Sequence, residues 1–227
     1  MPDAVFFGSI GTLVETTDMQ RRAFNKAFEA AGLDWHWTQD MYLPMLQQSG
    51  GRHRIERFAE SRGETVDAEM LHAAKVEAFA DLMATEGVDL RPGVRDLVDA
   101  AKERGMMVAF VTSTGREQIN GIFDALDGAL LPSEFDYIGN SGLVARGKPA
   151  PDIFLDALQT LDLSANQVIA IEDTPICAEA SVAARIETIG FPNSGVGDQP
   201  FPYGVEVVEA LSADLLYEDG QGKLRTA

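Results

Sequence analysis

Ala4-Val5-Phe6-Phe7-Gly8-Ser9-Ile10-Gly11 is the stretch that decides the fold of this 227-residue chain. Four apolar residues followed by glycine and serine are typical of a short buried strand that ends in a loop. The same pattern returns at residues 107–111, before Thr112-Ser113-Thr114, and at residues 168–171, before Glu172-Asp173-Thr174. We therefore predict three buried strands, each followed by a polar loop.

Helical patterns alternate with strands in the second half of the chain. Helices are predicted over residues 94–104, 118–126, 152–161 and 176–184, and two further short strands over 136–138 and 187–190. Strands that alternate with helices favour a mainly parallel sheet with helices on both faces. The predicted fold class is therefore α/β, a doubly wound sheet, and ligands are expected beyond the carboxyl ends of its strands.

Residues 15–89 do not follow that alternation. Helical periodicity begins near Met19, ends at Gly32, and returns over residues 37–47, 52–60 and 67–84 without a strand between. We predict an inserted α-helical cap domain at residues 15–89, and a core domain formed by residues 1–14 and 90–227. Trp35 and Trp37 are expected to pack inside the cap.

The chain is strongly acidic. It has 36 aspartates and glutamates against 18 lysines and arginines, a formal net charge of −18. Duplex nucleic acid and anionic membrane surfaces attract positive proteins, so neither is expected as a partner. The longest uninterrupted apolar run, residues 106–111, is much shorter than the roughly 20 residues that a membrane-spanning helix needs.

Cysteine and histidine are scarce. The single cysteine, Cys177, allows no internal disulfide, and the three histidines are too scattered for a common zinc spacing. The residues after Met1 lack the basic segment of a signal peptide. Together these features predict a cytoplasmic protein, in which Cys177 is interpreted as a small core residue rather than a reactive thiol.

Polar residues that suit a phosphorylated ligand follow the predicted strands. Thr112 and Ser113 offer hydroxyl and backbone N–H groups before a helix, which suits an anion. Lys148, in Gly147-Lys148-Pro149, supplies an ammonium group in a stiff loop. Glu172 and Asp173 end a strand with two carboxylates, which suit a hard cation such as Mg²⁺. Each feature alone also has an ordinary explanation, as a helix cap or a solvated acidic pair.

The order of these segments resembles the haloacid dehalogenase (HAD) superfamily of phosphohydrolases, and within it the β-phosphoglucomutase and CbbY-like group. The first family motif, an apolar strand and Asp-x-Asp-Gly-Thr-Leu, aligns with residues 5–13. The second motif falls on Thr112, the third on Lys148 and the fourth on Glu172-Asp173-Thr174. The likeness includes residues 21–25, 32–37 and 50–55 of the cap. It implies a HAD-like core with a helical cap, Mg²⁺ as cofactor and a small phosphorylated metabolite as ligand.

The sequence departs from the family where the chemistry takes place. The resemblance implies that the first aspartate attacks phosphorus and ligates Mg²⁺, and that the second acts as acid and base. Here these positions are Gly8 and Ile10, and neither side chain can take over the role. With only Asp173 and Glu172 left, Mg²⁺ binding is expected to be weak or absent. Ser9 lies between the two positions, so its side chain is expected to point to the other side of the extended segment.

Other family positions have changed as well. Cys177 and Arg185 stand where relatives have glycine, and Gln20 replaces a histidine. The resemblance also makes Arg52 and Arg54 in the cap candidates for contacts with a second phosphate or with sugar hydroxyls. An exposed basic helix start explains these two arginines equally well.

Three functions are consistent with the sequence. The first is a catalytically inactive or severely impaired HAD phosphatase homologue that still binds a small sugar phosphate. The second is an active, Mg²⁺-dependent sugar-phosphate hydrolase with an unrecognised nucleophile. The third is an interaction or regulatory protein built on the same fold, whose protein partner the sequence does not identify.

Overall fold

The structure, a computed structural model, describes residues 2–46 and 50–217. The chain divides into two compact units. The core unit combines the residues up to 15 with residues 88–193 and the segment from 198 onward. The helical unit contains residues 16–87 and residues 194–197. The sequence pattern placed the inserted domain at 15–89, and it did not predict that residues 194–197 group with it.

The core unit is built on a parallel sheet, which confirms the predicted α/β fold. Its strands are β1 (Ala4–Phe7), β2 (Met107–Phe110), β3 (Tyr137–Ile138), β4 (Val168–Glu172), β5 (Glu187–Gly190) and β6 (Glu206–Val207). They lie in the order β3-β2-β1-β4-β5-β6, and each pair of neighbours is parallel. The two-residue strand β6 was not predicted, because it is too short to show a pattern.

The helices agree with the predicted ones to within a few residues. They are α1 (Ile10–Leu13), α2 (Thr17–Ala30), α3 (Gln39–Met45), α4 (Gly51–Arg62), α5 (Ala68–Glu86), α6 (Val94–Glu103), α7 (Arg116–Ala125), α8 (Asp152–Thr160) and α9 (Pro175–Ala183). The single turn α1 was not predicted. The helix predicted over residues 37–47 begins at Gln39, because the Thr38 side chain caps it by accepting a hydrogen bond from Met41 N. Gln47 lies outside the described residues. Over the part of the chain that the structure describes, none of the helices combines the length and apolar character needed to cross a bilayer.

The core of the first unit lies between the sheet and the helices on it. All four residues of β1 are fully buried, as the apolar run at the start of the chain predicts. Phe6 clusters with Ala109 of β2, Ala170 of β4 and Phe154 of α8. This packing fixes β1 between β2 and β4, so that the ends of these three strands are held by a rigid layer.

Aromatic side chains form the core of the helical unit. Trp37 is fully buried, and its ring centroid lies 4.8 Å from that of Phe24 and 4.7 Å from that of Phe28. Trp35 packs on Phe28 at 5.2 Å, and its Nε1 donates a hydrogen bond to Glu64 Oε2 at 2.7 Å. The prediction that both tryptophans pack inside this unit is confirmed.

Candidate functional site

The carboxyl ends of three strands bring the predicted core residues to one edge of the sheet. Phe7 of β1 lies opposite Phe110 of β2 and Ile171 of β4, so the residues that follow them begin at the same level. Gly8 N donates to Ile171 O at 2.9 Å, which continues the β1–β4 pairing past the end of the strand. The loops that carry Gly8, Thr112 and Asp173 therefore leave the sheet together.

Lys148 reaches this edge and binds two of its groups. Its Nζ donates to Glu172 Oε1 at 2.6 Å and to the backbone carbonyl oxygen of Gly8. The Lys148 and Glu172 side chains are only 4% and 0% exposed. Burial raises the pKa of Glu172, while the positive charge of Lys148 acts in the opposite direction. The strand end thus holds a buried ion pair beside a backbone that has no side chain at position 8.

The Glu172 carboxylate occupies the space that a side chain at position 8 needs. A Cβ atom added to Gly8 would overlap with the Cδ and both carboxylate oxygens of Glu172. A Cβ atom added to Gly11 would likewise overlap with Asp173 Oδ2. The two glycines therefore let both carboxylates approach the backbone closely, and position 8 cannot accept an aspartate while Glu172 keeps this position.

Ser9 is where the sequence prediction was wrong. Its Oγ donates to Asp173 Oδ1 at 2.5 Å and lies 3.1 Å from Thr12 Oγ1, so the side chain points into the site. The alternation of side chains holds only within a strand. Here β1 ends at Phe7, and Ser9 already precedes the turn α1. The other oxygen of Asp173 accepts from Asn193 Nδ2 at 2.6 Å.

The remaining predicted core residues offer little chemistry of their own. Ile10 begins α1 as a partly exposed apolar side chain. Thr112 is 1% exposed, and its hydroxyl bonds locally: Oγ1 lies 2.9 Å from Thr114 Oγ1 and accepts from Thr114 N at 3.1 Å. Ser113 lies close to Gly147, the residue before Lys148. A Cβ atom built on Gly147 would be 3.6 Å from the Ser113 side chain, which is an ordinary contact distance. The structure therefore brings Ser113 to the loop of Lys148.

Arg52 and Arg54 differ from each other in the helical unit. Arg52 is exposed in the first turn of α4, with its Nε 3.4 Å from Glu56 Oε1. Arg54 is 8% exposed, its Nε donates to Met45 O at 3.2 Å, and its guanidinium carbon lies 5.4 Å from the centre of the Tyr42 ring. The explanation of both residues as an exposed basic helix start is therefore wrong for Arg54.

Sequence reasoning missed Lys75, a buried cation of the helical unit. Its Nζ lies 5.2 Å from the centre of the Phe24 ring, 4.9 Å from that of Phe79, and donates to Gln20 Oε1. Burial, and then repulsion from Arg54, lower the pKa of Lys75 to about 8. α5 is rich in apolar residues all round, so the pattern does not single out the face on which Lys75 lies. The only signal in the sequence was Gln20, which stands where the family resemblance implies a histidine and which accepts the hydrogen bond from Lys75.

The carboxylates at the strand end fit Mg²⁺ poorly. One oxygen of Glu172, one of Asp173 and Sγ of Cys177 lie within 4.8 Å of one another. Mg²⁺ requires six oxygen ligands in near-octahedral geometry. Here Lys148 already binds Glu172, Gly8 and Ile10 offer no side-chain oxygen, and the third acidic, cysteine or histidine side chain of the group supplies sulfur instead of oxygen. Cys177 was interpreted as a buried core residue, but it is only partly buried and borders this group.

Comparison with known proteins identifies the family. A model of haloacid dehalogenase-like hydrolases matches residues 2–184. The chain belongs to this HAD family. Protein CbbY of Cereibacter sphaeroides is 36% identical over 195 residues, which are 85% of this chain and 85% of that protein.

Solved structures agree with this assignment. The structure of CbbY from Rhodobacter sphaeroides in complex with phosphate matches with 33% sequence identity and a TM-score of 0.80. The match covers 92% of this chain and 95% of the CbbY chain. A mutant of that protein in complex with Xylulose-(1,5)bisphosphate covers 95% and 96%, with 34% identity and a TM-score of 0.81. This HAD chain thus falls in the CbbY and β-phosphoglucomutase-like group, as its motifs predict.

Proposed function

We propose that this HAD-family chain binds a small sugar phosphate and has lost, or almost lost, the ability to transfer its phosphoryl group. One observation carries the proposal. At the positions of the family's nucleophile and its acid/base, Gly8 and Ile10 have no reactive atom, and the Glu172 carboxylate occupies the space beside Gly8. The loss of the two reactive side chains therefore leaves no empty space at position 8, because the Glu172 carboxylate fills it.

The size of the expected loss can be bounded. Removing a covalent nucleophile from a hydrolase costs on the order of 10⁶ in turnover, and general acid–base help is worth about 10²–10⁴. These factors are not additive, but either one leaves little activity. A weak Mg²⁺ site at Glu172 and Asp173 would lower the rate further, because the metal ion stabilises charge that develops on the phosphoryl oxygens.

Binding of a phosphorylated ligand is the part of the function that we propose to persist. Lys148 supplies a cation, and Ser113 supplies a hydroxyl and a backbone N–H group just beyond β2, whereas the hydroxyl of the buried Thr112 is already bonded to Thr114. Against Lys148 stand the carboxylates of Glu172 and Asp173, which repel an anion. We therefore expect phosphate to bind weakly at this strand end unless a divalent cation offsets the carboxylates. Arg52 and Arg54 remain candidates for contacts with a second phosphate or with sugar hydroxyls.

A second candidate function rests on Ser9. Its Oγ lies 2.5 Å from Asp173 Oδ1, so a hydroxyl and a carboxylate that could accept its proton are already in contact at the strand end. An active hydrolase could use Ser9 in place of the missing aspartate. Incubation with a phosphate ester followed by mass spectrometry would find phosphoserine at residue 9 in that case, and the Ser9→Ala variant would lose both the modification and the turnover.

The proposed loss of activity is tested with a panel of phosphate esters, including p-nitrophenyl phosphate and sugar monophosphates and bisphosphates, in the presence of Mg²⁺. We expect no release of phosphate above the level of the Lys148→Ala variant. Clear turnover that disappears in Lys148→Ala would refute the proposal. Ligand binding is measured separately by calorimetry, where inorganic phosphate and a sugar bisphosphate are the probes.

Restoration of the family residues is a sharper test. Gly8→Asp/Ile10→Asp introduces both missing carboxylates, but the new side chain at position 8 must displace the carboxylate of Glu172. We expect the double variant to show Mg²⁺-dependent hydrolysis only if Glu172 can move. Activity in the double variant, absent in the native protein, would support a site that lacks only its acidic pair.

A further inference from the structure

We propose that Glu172, Asp173 and Cys177 form a binding site for a divalent cation that prefers sulfur ligands, such as Zn²⁺, in place of the Mg²⁺ site of the family. The proposal concerns the metal, and its test uses no phosphorylated ligand, so its failure can be distinguished from failure of the proposed function.

The geometry of three donors carries this inference. A carboxylate oxygen of Glu172, a carboxylate oxygen of Asp173 and Sγ of Cys177 lie within 4.8 Å of one another. Around Zn²⁺, tetrahedral angles with metal–oxygen and metal–sulfur lengths of about 2.0 and 2.3 Å place such donors about 3.5 Å apart. The donor atoms would therefore have to approach one another by at most about 1.3 Å to reach that geometry.

An unpartnered oxygen points to a missing ligand at the same place. Glu172 is fully buried, and its Oε2 has no hydrogen-bond partner within residues 2–46 and 50–217, whereas Oε1 binds Lys148. A buried polar atom without a partner has lost its hydrogen bonds to water without replacement, so such atoms are rare in folded proteins. A cation bound at Oε2 would remove this cost.

The elements that carry the donors keep them close. Glu172 is the last residue of β4, Asp173 follows it, and Cys177 lies in the first turn of α9, which begins at Pro175. The Thr174 hydroxyl accepts from Cys177 N and so caps that helix. This tight turn from strand to helix returns the cysteine to the carboxylates.

The chemistry of the donors favours Zn²⁺ over Mg²⁺. Thiolate is a ligand of Zn²⁺ and of other soft or borderline cations, whereas Mg²⁺ prefers oxygen. Burial, and then the charge of Glu172, raise the pKa of the Cys177 thiol. When the cation binds, the S–H bond breaks, a metal–sulfur bond forms and the proton passes to water. Three protein ligands leave the fourth tetrahedral position for water or for another ligand.

The experiment uses Co²⁺ as a spectroscopic substitute for Zn²⁺. The full chain is freed of metal with a chelator and titrated with Co²⁺ in buffer without phosphate, while the absorption of a thiolate–cobalt bond is recorded in the near ultraviolet. Cys177 is the only cysteine in the chain, so any such band reports on this residue. We expect the band in the native protein, its displacement by Zn²⁺, and no displacement by Mg²⁺ at the same concentration.

Variants complete the test. Cys177→Ala should lose the band, and Glu172→Gln/Asp173→Asn should lose it while keeping the cysteine. Zn²⁺ affinity in these variants should fall at least about 10–100-fold. Loss of a residue that only hydrogen-bonds to a metal ligand already has an effect of this size, and these changes remove the ligands themselves. Glu179→Gln, a change to an exposed residue of α9, is the matched control and should bind as the native protein does. Circular dichroism verifies that each variant is folded.

The contrary results are equally clear. Binding of Co²⁺ without a thiolate band would overturn the proposal. A band that persists in Glu172→Gln/Asp173→Asn would also overturn it, because the cysteine would then bind metal without the two carboxylates. Equal competition by Mg²⁺ would do so as well, since the site would then have the ordinary preference of the family.

Discussion

Replacing Lys148 with methionine removes the cation of the buried pair and leaves the Glu172 carboxylate without its partner. The two charged atoms are 2.6 Å apart, and the side chains are 4% and 0% exposed. At an effective dielectric constant of about 20, charges at this distance attract by about 6 kcal/mol. The cost of removing both charges from water offsets part of this attraction, so we expect Lys148→Met to lower the free energy of unfolding by about 3–5 kcal/mol.

The assay is urea unfolding at pH 7.5 in the presence of a chelator, followed by far-ultraviolet circular dichroism. Tryptophan fluorescence alone would be misleading, because Trp35 and Trp37, the only two tryptophans of the chain, both lie in the helical unit. Lys148 and Glu172 belong to the core unit. Because the chain has two units, two-state behaviour has to be verified before a free energy is taken from the curve.

A double-mutant cycle separates the pairing from the loss of the side chains. Lys148→Met/Glu172→Leu removes both charges together, and it should cost several kcal/mol less than the sum of the two single changes. Arg146→Met is the matched control. Its pair with Asp152 has almost the same length, 2.7 Å, but the arginine side chain is 72% exposed, so no measurable change is expected. Equal effects of Lys148→Met and Arg146→Met, or strict additivity in the cycle, would refute the reasoning.

Three further predictions concern stability. Gly8→Ala places a methyl group against the Glu172 carboxylate and should lower the free energy of unfolding by about 1–3 kcal/mol. Gly147→Ala is the control and should have little effect, because the nearest atom to its new methyl group would be 3.6 Å away. Equal urea midpoints of the two variants would contradict this prediction. The pKa of Lys75 is lowered from 10.5 to about 8, so the unfolded state binds more protons between these pH values and stability should rise with pH there. Lys75→Met should lack that rise and be more stable at pH 7 by at most about 3 kcal/mol; identical pH profiles of unfolding would exclude the effect. Trp37→Ala should cost the helical unit about 3–5 kcal/mol, measured by the fluorescence of the remaining Trp35, and a loss below about 1 kcal/mol would show that the aromatic cluster repacks.

The strands and helices could be predicted because their patterns are local. Apolar runs marked β1, β2 and β4, and Gly32 marked the end of α2, whereas the cap at Thr38 was missed. The errors occurred where a local rule was extended too far. Side-chain alternation was applied to Ser9, which lies beyond the end of β1 and therefore follows the geometry of a turn.

Part of the candidate site could not be predicted from spacing. Cys177 was read as a core residue because a lone cysteine is usually buried among apolar atoms. Its position near the carboxylates depends on how α9 leaves β4. Lys75 escaped notice for a similar reason, because its burial depends on which face of α5 packs against the rest of the helical unit.

The sequence by itself determined the family, the parallel sheet and the loss of two reactive side chains, because these follow from residue types and their order along the chain. Only the tertiary structure decided what replaced them. Strand register brings Gly8 beside Glu172, and the reach of Lys148 turns that carboxylate into half of a buried ion pair. Contacts between residues more than 20 positions apart depend on packing and on the length of side chains, which a linear pattern does not contain. The charge and hydrogen bonding of the residues that remain at the strand end are therefore set by their neighbours in space.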